Sequence, residues 1–548
     1  MRCRVLVCLA VAWVTSVGAQ APPVAHFKWF EYVGHDRVFA APLPAGSYRN
    51  PILAGFYPDP SITRAGDRYY LVNSTFTYFP GIPVFESRDL VHWRQVGNVI
   101  DRPSELNFDG LGVSRGIFAP AIAFHSGLFY VTSTAVDSGG NFIAVARNPA
   151  GPWSDPIWLP QIDGIDPSLF FDTDGRVYVL NNGLPEGPPQ YAGHRAIWIQ
   201  ELDLAARKLV GPRKVLINGG VDFARKPVWI EGPRMYRHDG WYILMCAEGG
   251  TSVQHSEVVL RAHSPWGPFQ PYAGNPILTQ RDLPPGRADP IINAGHADLV
   301  EGPDGHWWSI FLASRPYEEI HYNTGRETFL LPVTWKDGWP VILEKGKAIP
   351  YVAAAPREAS EPTDITPTTG NFTWRDDFDA RALRPEWLQV RVPKQQWADL
   401  DSRPGWLTIH PLSAGLDALS NPSFLARRQQ HVSFDASAEL EIPQQPGLAV
   451  GLAAFQSEGY WYFLGVRRAA VPEVFLEKQG KTIARSALPD AGPRLRLRIR
   501  GDARAYSFYF DAKGWTPLKE NDDGSILSTD VAGGFVGAVV GPYARLEK

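Results

Sequence analysis

Five times between Tyr57 and Ser314 the chain repeats one phrase: a small or acidic residue, an apolar strand, a tight turn, then an aromatic-rich strand. The copies are "YPDPSITRAGDRYYLVNSTF" from Tyr57, "FAPAIAFHSGLFYVTSTA" from Phe118, "GIDPSLFFDTDGRVYVLNNG" from Gly164, "WIEGPRMYRHDGWYILMCAEGG" from Trp229 and "NAGHADLVEGPDGHWWSIFLAS" from Asn293. Their turns fall at Gly66-Asp67, Ser126-Gly127, Asp174-Gly175, Asp239-Gly240 and Asp304-Gly305. An Asp-Gly pair flanked by apolar runs predicts a hairpin. Outer segments echo one another as well, as in "ARNPAGPWSDPI" and "RAHSPWGPFQPY". A hairpin with outer strands, repeated five times at roughly fifty to sixty residues, predicts a five-bladed β-propeller. Radial repetition also leaves few open strand edges.

In such a ring the innermost strand of each blade runs along the central axis. Equivalent residues of the five repeats therefore converge on one end of it. Those positions hold Asp59, Ala119, Asp166, Glu231 and His296. One Asp-Pro is an ordinary turn former, but that explanation is weak for an acid at three of five equivalent positions. Clustered carboxylates repel, so their pKa values separate. One stays ionised as a base while another keeps its proton as an acid. Cleavage of a glycosidic bond needs that pair. The competing reading is a metal site, since hard cations also favour clustered acids; no DxDxDG-type loop is present to carry one.

"YPDPS", "GIDPSLFFD" and "WIEGP", in this order within a five-fold repeat, resemble glycoside hydrolase family 43 over roughly Asn50 to Glu344. "GRETFLLPVTWKDGWP" from Gly325 is similar to its β-xylosidase and α-L-arabinofuranosidase branches. The resemblance implies an exo-acting, inverting hydrolase that releases arabinofuranosyl or xylosyl residues from arabinoxylan-type cell-wall chains. It implies Asp59 as general base, Glu231 as general acid, and Asp166 as the residue that raises and orients the acid. The base-to-acid gap expected for inversion is roughly 6.5–9.5 Å. Arg326 would reach substrate hydroxyls, its competing reading being an ion pair with Glu327. Phe76, Phe79 and Phe118 would line the pocket, and His255 would be a polar pocket residue. Many relatives carry Trp where Phe118 stands. No cofactor is required; His296 is either a core histidine or lies near a water-bound structural cation such as calcium. The alternatives are a non-catalytic carbohydrate-binding propeller and an endo-arabinanase.

The remaining sequence sets the boundaries. Arg2, Arg4, the apolar "VLVCLAVAWV" and "VGA" ending at Ala19 predict a secretory leader over residues 1–19, hence an exported protein with no membrane span. Cys246 is the one cysteine outside that leader, so no intrachain disulfide is expected. A formal charge of −4 gives no reason to expect nucleic acid. Residues 20–49 are expected to dock on the propeller of residues 50–350. A Pro/Ala/Thr-rich linker follows over 351–370. Strict alternation in "RLRLRIRG" predicts a lectin-like (concanavalin-type) β-sandwich over 371–548. The fold class is thus all-β. The sandwich either packs on the propeller and helps shape the pocket or is an independent binding module. Relatives form homo-oligomers, on which no residue here reports.

Overall fold

Each repeat folds as its pattern requires. Alternating apolar residues and a left-handed turn give a hairpin, and outer strands extend it to an antiparallel blade. The computed structural model describes residues 23–318, 320–356, 365–444 and 446–547. Blade 1 runs from Ser61–Ala65 through Arg68–Val72 and Gly81–Ser87 to Arg94–Ile100. Blade 2 is built on Ala121–His125 and Leu128–Val136, blade 3 on Ile165–Phe171 and Val177–Gly183. Blade 4 starts with Glu231–His238, blade 5 with Ile292–Glu301. Together they form the expected five-bladed propeller. Apolar clusters fill the seams between neighbouring blades, as where Phe170 and Leu180 of blade 3 meet Met235 and Leu244 of blade 4. Buried Cys246 belongs to that cluster.

The ring is closed by the chain that precedes it. Ser47–Arg49 pairs with Val352–Ala354, so the strand order continues into the region expected as linker. Asn50 Nδ2 donates to the carbonyl of Leu330 and its Oδ1 accepts the Leu330 amide, both at 2.9 Å. These bonds clip the start of blade 1 onto the last blade.

The segment before that docks on the propeller only through residues such as Asp36 and Phe39, which meet Arg315; its strand goes elsewhere. Ala25–Gly34 inserts into the C-terminal sandwich, between Leu407–Ile409 and Ser433–Glu441. Its buried Phe27, Phe30 and Tyr32, kept on one side by a bulge between Phe27 and Trp29, suit a sheet with one buried face, and the sandwich supplies unpaired edges that the propeller lacks. The sandwich has two eight-stranded antiparallel sheets, the eighth strand of the second being Tyr78–Phe79 from a blade 1 loop. Among the described residues no helix is long and apolar enough to cross a membrane. The leader expected over residues 1–19 and the middle of the linker, 357–364, lie outside the described residues.

One buried cation ties these parts together. Arg315, at the end of a blade 5 strand, is 2 % exposed. It donates to Glu327 through Nε at 2.7 Å and Nη2 at 2.9 Å, to Asp36 at 2.6 Å, and to the Gln430 carbonyl at 2.9 Å. Asp36 also accepts the Ser433 amide at 2.8 Å, and Glu327 the Gly55 amide at 2.7 Å. Propeller, N-terminal segment and sandwich thus share one ion-pair network. Removing one partner of a buried pair strands the other charge. Arg315→Met is expected to cost about 3–5 kcal/mol, read as a lower urea midpoint with an unchanged slope.

Candidate active site

All five inner-strand residues named from the repeat line one cavity of about 620 Å³, a size suited to a small ligand. The backbone explains how they reach it. The hairpin register breaks between Ile165 and Ser168, between Glu231 and Arg234, and between Gly295 and Asp298. Such bulges re-aim a side chain out of the pleat. Asp59, Asp166 and His296 have φ of 51°, 56° and 54°. These left-handed conformations cost about 1–3 kcal/mol each where a side chain is present. Gly232, in "WIEGP", has φ 58°, and a Cβ there would lie 2.8 Å from Nε2 of His296. Only glycine allows Glu231 and His296 to be neighbours in this way.

The three carboxylates are almost wholly buried, yet their environments differ. Asp59 Oδ1 accepts from Arg326 Nη1 at 2.8 Å, and Oδ2 from Ser74 Oγ at 2.6 Å. Burial opposes its charge, but Arg326 and the hydroxyl outweigh it and hold Asp59 below the usual carboxylate range. Asp166 is pushed up to about 7, by burial first and then by the charge of Asp59, although its Oδ2 accepts the Gly232 amide at 3.1 Å. Glu231 is raised well above its ordinary value by burial, then by Asp166 and Asp59. The site thus holds one carboxylate ionised and another protonated, the arrangement that acid–base chemistry needs. His296 and His255 are lowered by burial to about 3 and about 4. Both are neutral at ordinary pH, so Arg326 carries the positive charge beside Asp59.

Arg326 does not pair with Glu327. Its side chain enters the cavity, whereas Glu327 turns to Arg315. Phe76 and Phe118 line the cavity as expected. Phe79 does not: its short strand pairs with Leu388–Val390 of the sandwich, and its ring packs in the blade 1–blade 2 core. His255 lies behind the pocket, with Nδ1 2.8 Å from the Asn293 carbonyl oxygen.

The wall contains residues that the repeat did not reveal. Phe535, from the sandwich, stacks on Phe76 with centroids 5.9 Å apart and meets Phe118 edge-on at 5.7 Å. Its amide donates to Ser114 Oγ at 2.9 Å, and its carbonyl accepts from Arg326 Nη2 at 3.4 Å. The sandwich therefore packs on the propeller and completes the pocket. Across the cavity the Arg195 guanidinium lies 4.0 Å from the centroid of Trp229. Trp229 stands in the acid motif itself, where attention to the carboxylate hid its stacking face.

A five-bladed propeller presenting three buried carboxylates of divided protonation defines a propeller-type glycosidase. The profile "Glycosyl hydrolases family 43" matches residues 48–340, and the chain belongs to that family. Residues 375–547 match the "Beta xylosidase C-terminal Concanavalin A-like domain". A xylosidase/arabinosidase of Butyrivibrio fibrisolvens is 38% identical over 503 residues, covering 90% of this chain and 95% of that one. A non-reducing end alpha-L-arabinofuranosidase of Bacteroides ovatus is 35% identical over 519 residues, covering 92% of each. The crystal structure of a GH43_12 protein retrieved from capybara gut metagenome superposes with a TM-score of 0.89 at 38% identity, covering 96% of this chain and 100% of that one.

The raised acid has a thermodynamic signature. Unfolded, Glu231 ionises near 4.5; folded, it keeps its proton far above that. Folding therefore takes up a proton once the pH exceeds about 4.5, and stability falls as pH rises. Glu231→Gln removes this slope. Its Tm is expected to exceed that of the unaltered protein by more at pH 8 than at pH 5 in parallel thermal melts.

Proposed function

We propose that the protein is an exo-acting, inverting pentosidase that releases α-L-arabinofuranosyl or β-D-xylosyl residues from the ends and branches of arabinoxylan-type chains. The observation that carries this reading is the divided protonation of Asp59 and Glu231 around one cavity. Asp59, ionised beside Arg326, takes a proton from water. The water oxygen attacks the anomeric carbon from the face opposite the leaving group. Glu231 gives its proton to the glycosidic oxygen as that bond breaks, so the anomeric configuration inverts. Asp166 acts through Glu231: its proximity raises the acid, and its bond to the Gly232 amide fixes the turn that carries it. Arg326 orients Asp59 and faces the sugar hydroxyls with a fixed fork of donors.

The exo reading is supported by the sandwich. Phe535 walls one side of the cavity and is fastened to Ser114, which favours a chain end over an uninterrupted chain. The sugar class follows the relatives, whose names cover both xylosides and arabinofuranosides. Action outside the cytoplasm rests on the leader-like first 19 residues.

A pore cation is part of this proposal only in a limited form. His296 Nε2 is buried without a partner, as an imidazole nitrogen turned to water, or with its lone pair to a cation, would be. Among the described residues no group of three His, Cys, Asp or Glu has the arrangement of a metal site. His296 would be the one side chain to face such a water-bound cation, which would add positive charge beside the pocket.

The test is steady-state hydrolysis of p-nitrophenyl α-L-arabinofuranoside and β-D-xylopyranoside beside a natural oligosaccharide. Turnover of at least one aryl glycoside is expected. Asp59→Ala should lower every rate by about 10²–10⁴. Glu231→Ala should lose the oligosaccharide but retain most aryl glycoside activity, since nitrophenolate leaves without a proton. Equal loss on both substrate types would refute the acid assignment.

A further inference from the structure

A second cavity, of about 190 Å³, lies between blade 1 and the sandwich. Tyr57 and Trp93 face it from the propeller, and Arg384, Glu386 and Arg427 from the sandwich. Arg427 decides its chemistry. It is 1 % exposed, and its Nε and Nη1 have no hydrogen-bond partner. The rings of Tyr32 and Trp374 lie 4.6 and 4.7 Å from its guanidinium. They attract a cation but offer no lone pair in the guanidinium plane.

Arg428 beside Arg427, also buried, leaves Nη2 unpartnered but donates through Nε to the Phe56 carbonyl at 2.8 Å; two further buried arginines at this junction are satisfied. Arg315 has Asp36 and Glu327, and Arg391 has Glu458 with several carbonyls. Arg427 feels the charge of Glu386 without bonding to it, and buried donors left without an acceptor are costly, so the cavity beside Arg427 calls for one. Arg384 adds a second positive charge; its Nη2 donates to Thr366 Oγ1 at 3.0 Å. Arg94 also lines the cavity but is bonded to Glu86 at 3.1 Å. Glu386 is the one acid in the wall, 3.6 Å from Arg384 Nη2. Its Oε2 is buried and has no partner either. The wall thus offers two guanidinium groups and, near them, one stranded carboxylate oxygen. A fully deprotonated anion satisfies the first and repels the second. A hydrogen phosphate satisfies both, since its oxygens accept from arginine and its P–OH donates to a carboxylate.

We propose that this cavity between propeller and sandwich is a hydrogen-phosphate site, held by Arg427 and Arg384 and selected over sulfate by Glu386. The site is independent of the hydrolytic reading, although Tyr57, in its wall, lies two residues from Asp59.

The experiment is thermal unfolding of the full chain at pH 7 in inorganic phosphate, in sulfate and in chloride, at matched ionic strength. A ligand bound only by the folded state raises Tm in a saturable way. Phosphate is expected to raise it above the chloride baseline, and sulfate to do so much less. Arg427→Met should abolish the response. Arg384, whose side chain is 34% exposed, tolerates replacement better, and Arg384→Gln should weaken phosphate binding about tenfold. Glu386→Gln should bring phosphate and sulfate together. The proposal is overturned by a phosphate response no larger than that of chloride, by equal sulfate and phosphate responses in the unaltered protein, or by an unchanged response in Arg384→Gln. Competitive inhibition of aryl glycoside hydrolysis with the same constant would also overturn it, because phosphate would then occupy the catalytic pocket.

Discussion

Two neighbouring side chains at the start of one blade 5 strand organise the molecule. Strand alternation sends Arg326 and Glu327 to opposite sides. Arg326 goes to Asp59 in the pocket; Glu327 goes to Arg315, and through it to Asp36 and the sandwich. One short stretch of backbone therefore fixes both the charge of the proposed base and the joint between propeller, N-terminal strand and sandwich. The loop that leads into it is held from the sandwich side as well, where the Ala538 amide donates to the Asn323 carbonyl at 2.7 Å. Site and architecture share their fixed points.

The electrostatics follow from that arrangement. Three carboxylates in a poorly solvated cavity cannot all be ionised. The cation that bonds one of them decides which one is, Arg234 and Arg195 acting on Asp166 and Glu231 through space. Arg326 touches Asp59, so the cost of burying charge falls on Asp166 and Glu231. The imidazoles nearby are too strongly desolvated to share the task. A protonated Glu231 is therefore a result of burial first and then of the neighbouring carboxylates, with no donor to the acid itself being needed.

Much of this was legible in the sequence because it is periodic. A repeat announces blades, and equivalent places in a repeat announce convergence; Asp59, Asp166, Glu231 and His296 were found that way. What escaped lacks a period. Phe535 is remote in sequence from Phe76 and Phe118, in a stretch that reads as an ordinary strand entry. Phe79 sits in an aromatic cluster that looks like pocket wall, but its backbone serves as a strand for the sandwich. Aromatic content alone could not assign Ala25–Gly34 to either domain, since both bury rings. Contacts between domains depend on complementary edges, and a single chain carries no local record of its partner's edge.

The position of that first strand has a consequence for how the molecule is made. Ala25–Gly34 lies about 400 residues ahead of Ser433–Glu441, the neighbour with which it shares its longest ladder. At a synthesis rate of about 5–20 residues per second, the two are separated by roughly 20–80 s. For most of that interval, until Thr373–Asp376 and then Leu407–Ile409 appear, Phe27, Phe30 and Tyr32, all fully buried in the finished fold, belong to a strand with nothing to pair with. The earliest piece of the chain is thus among the last to be locked. Its exposure to unwanted strand pairing is set by the pace of translation, and no added stability of the final structure shortens it.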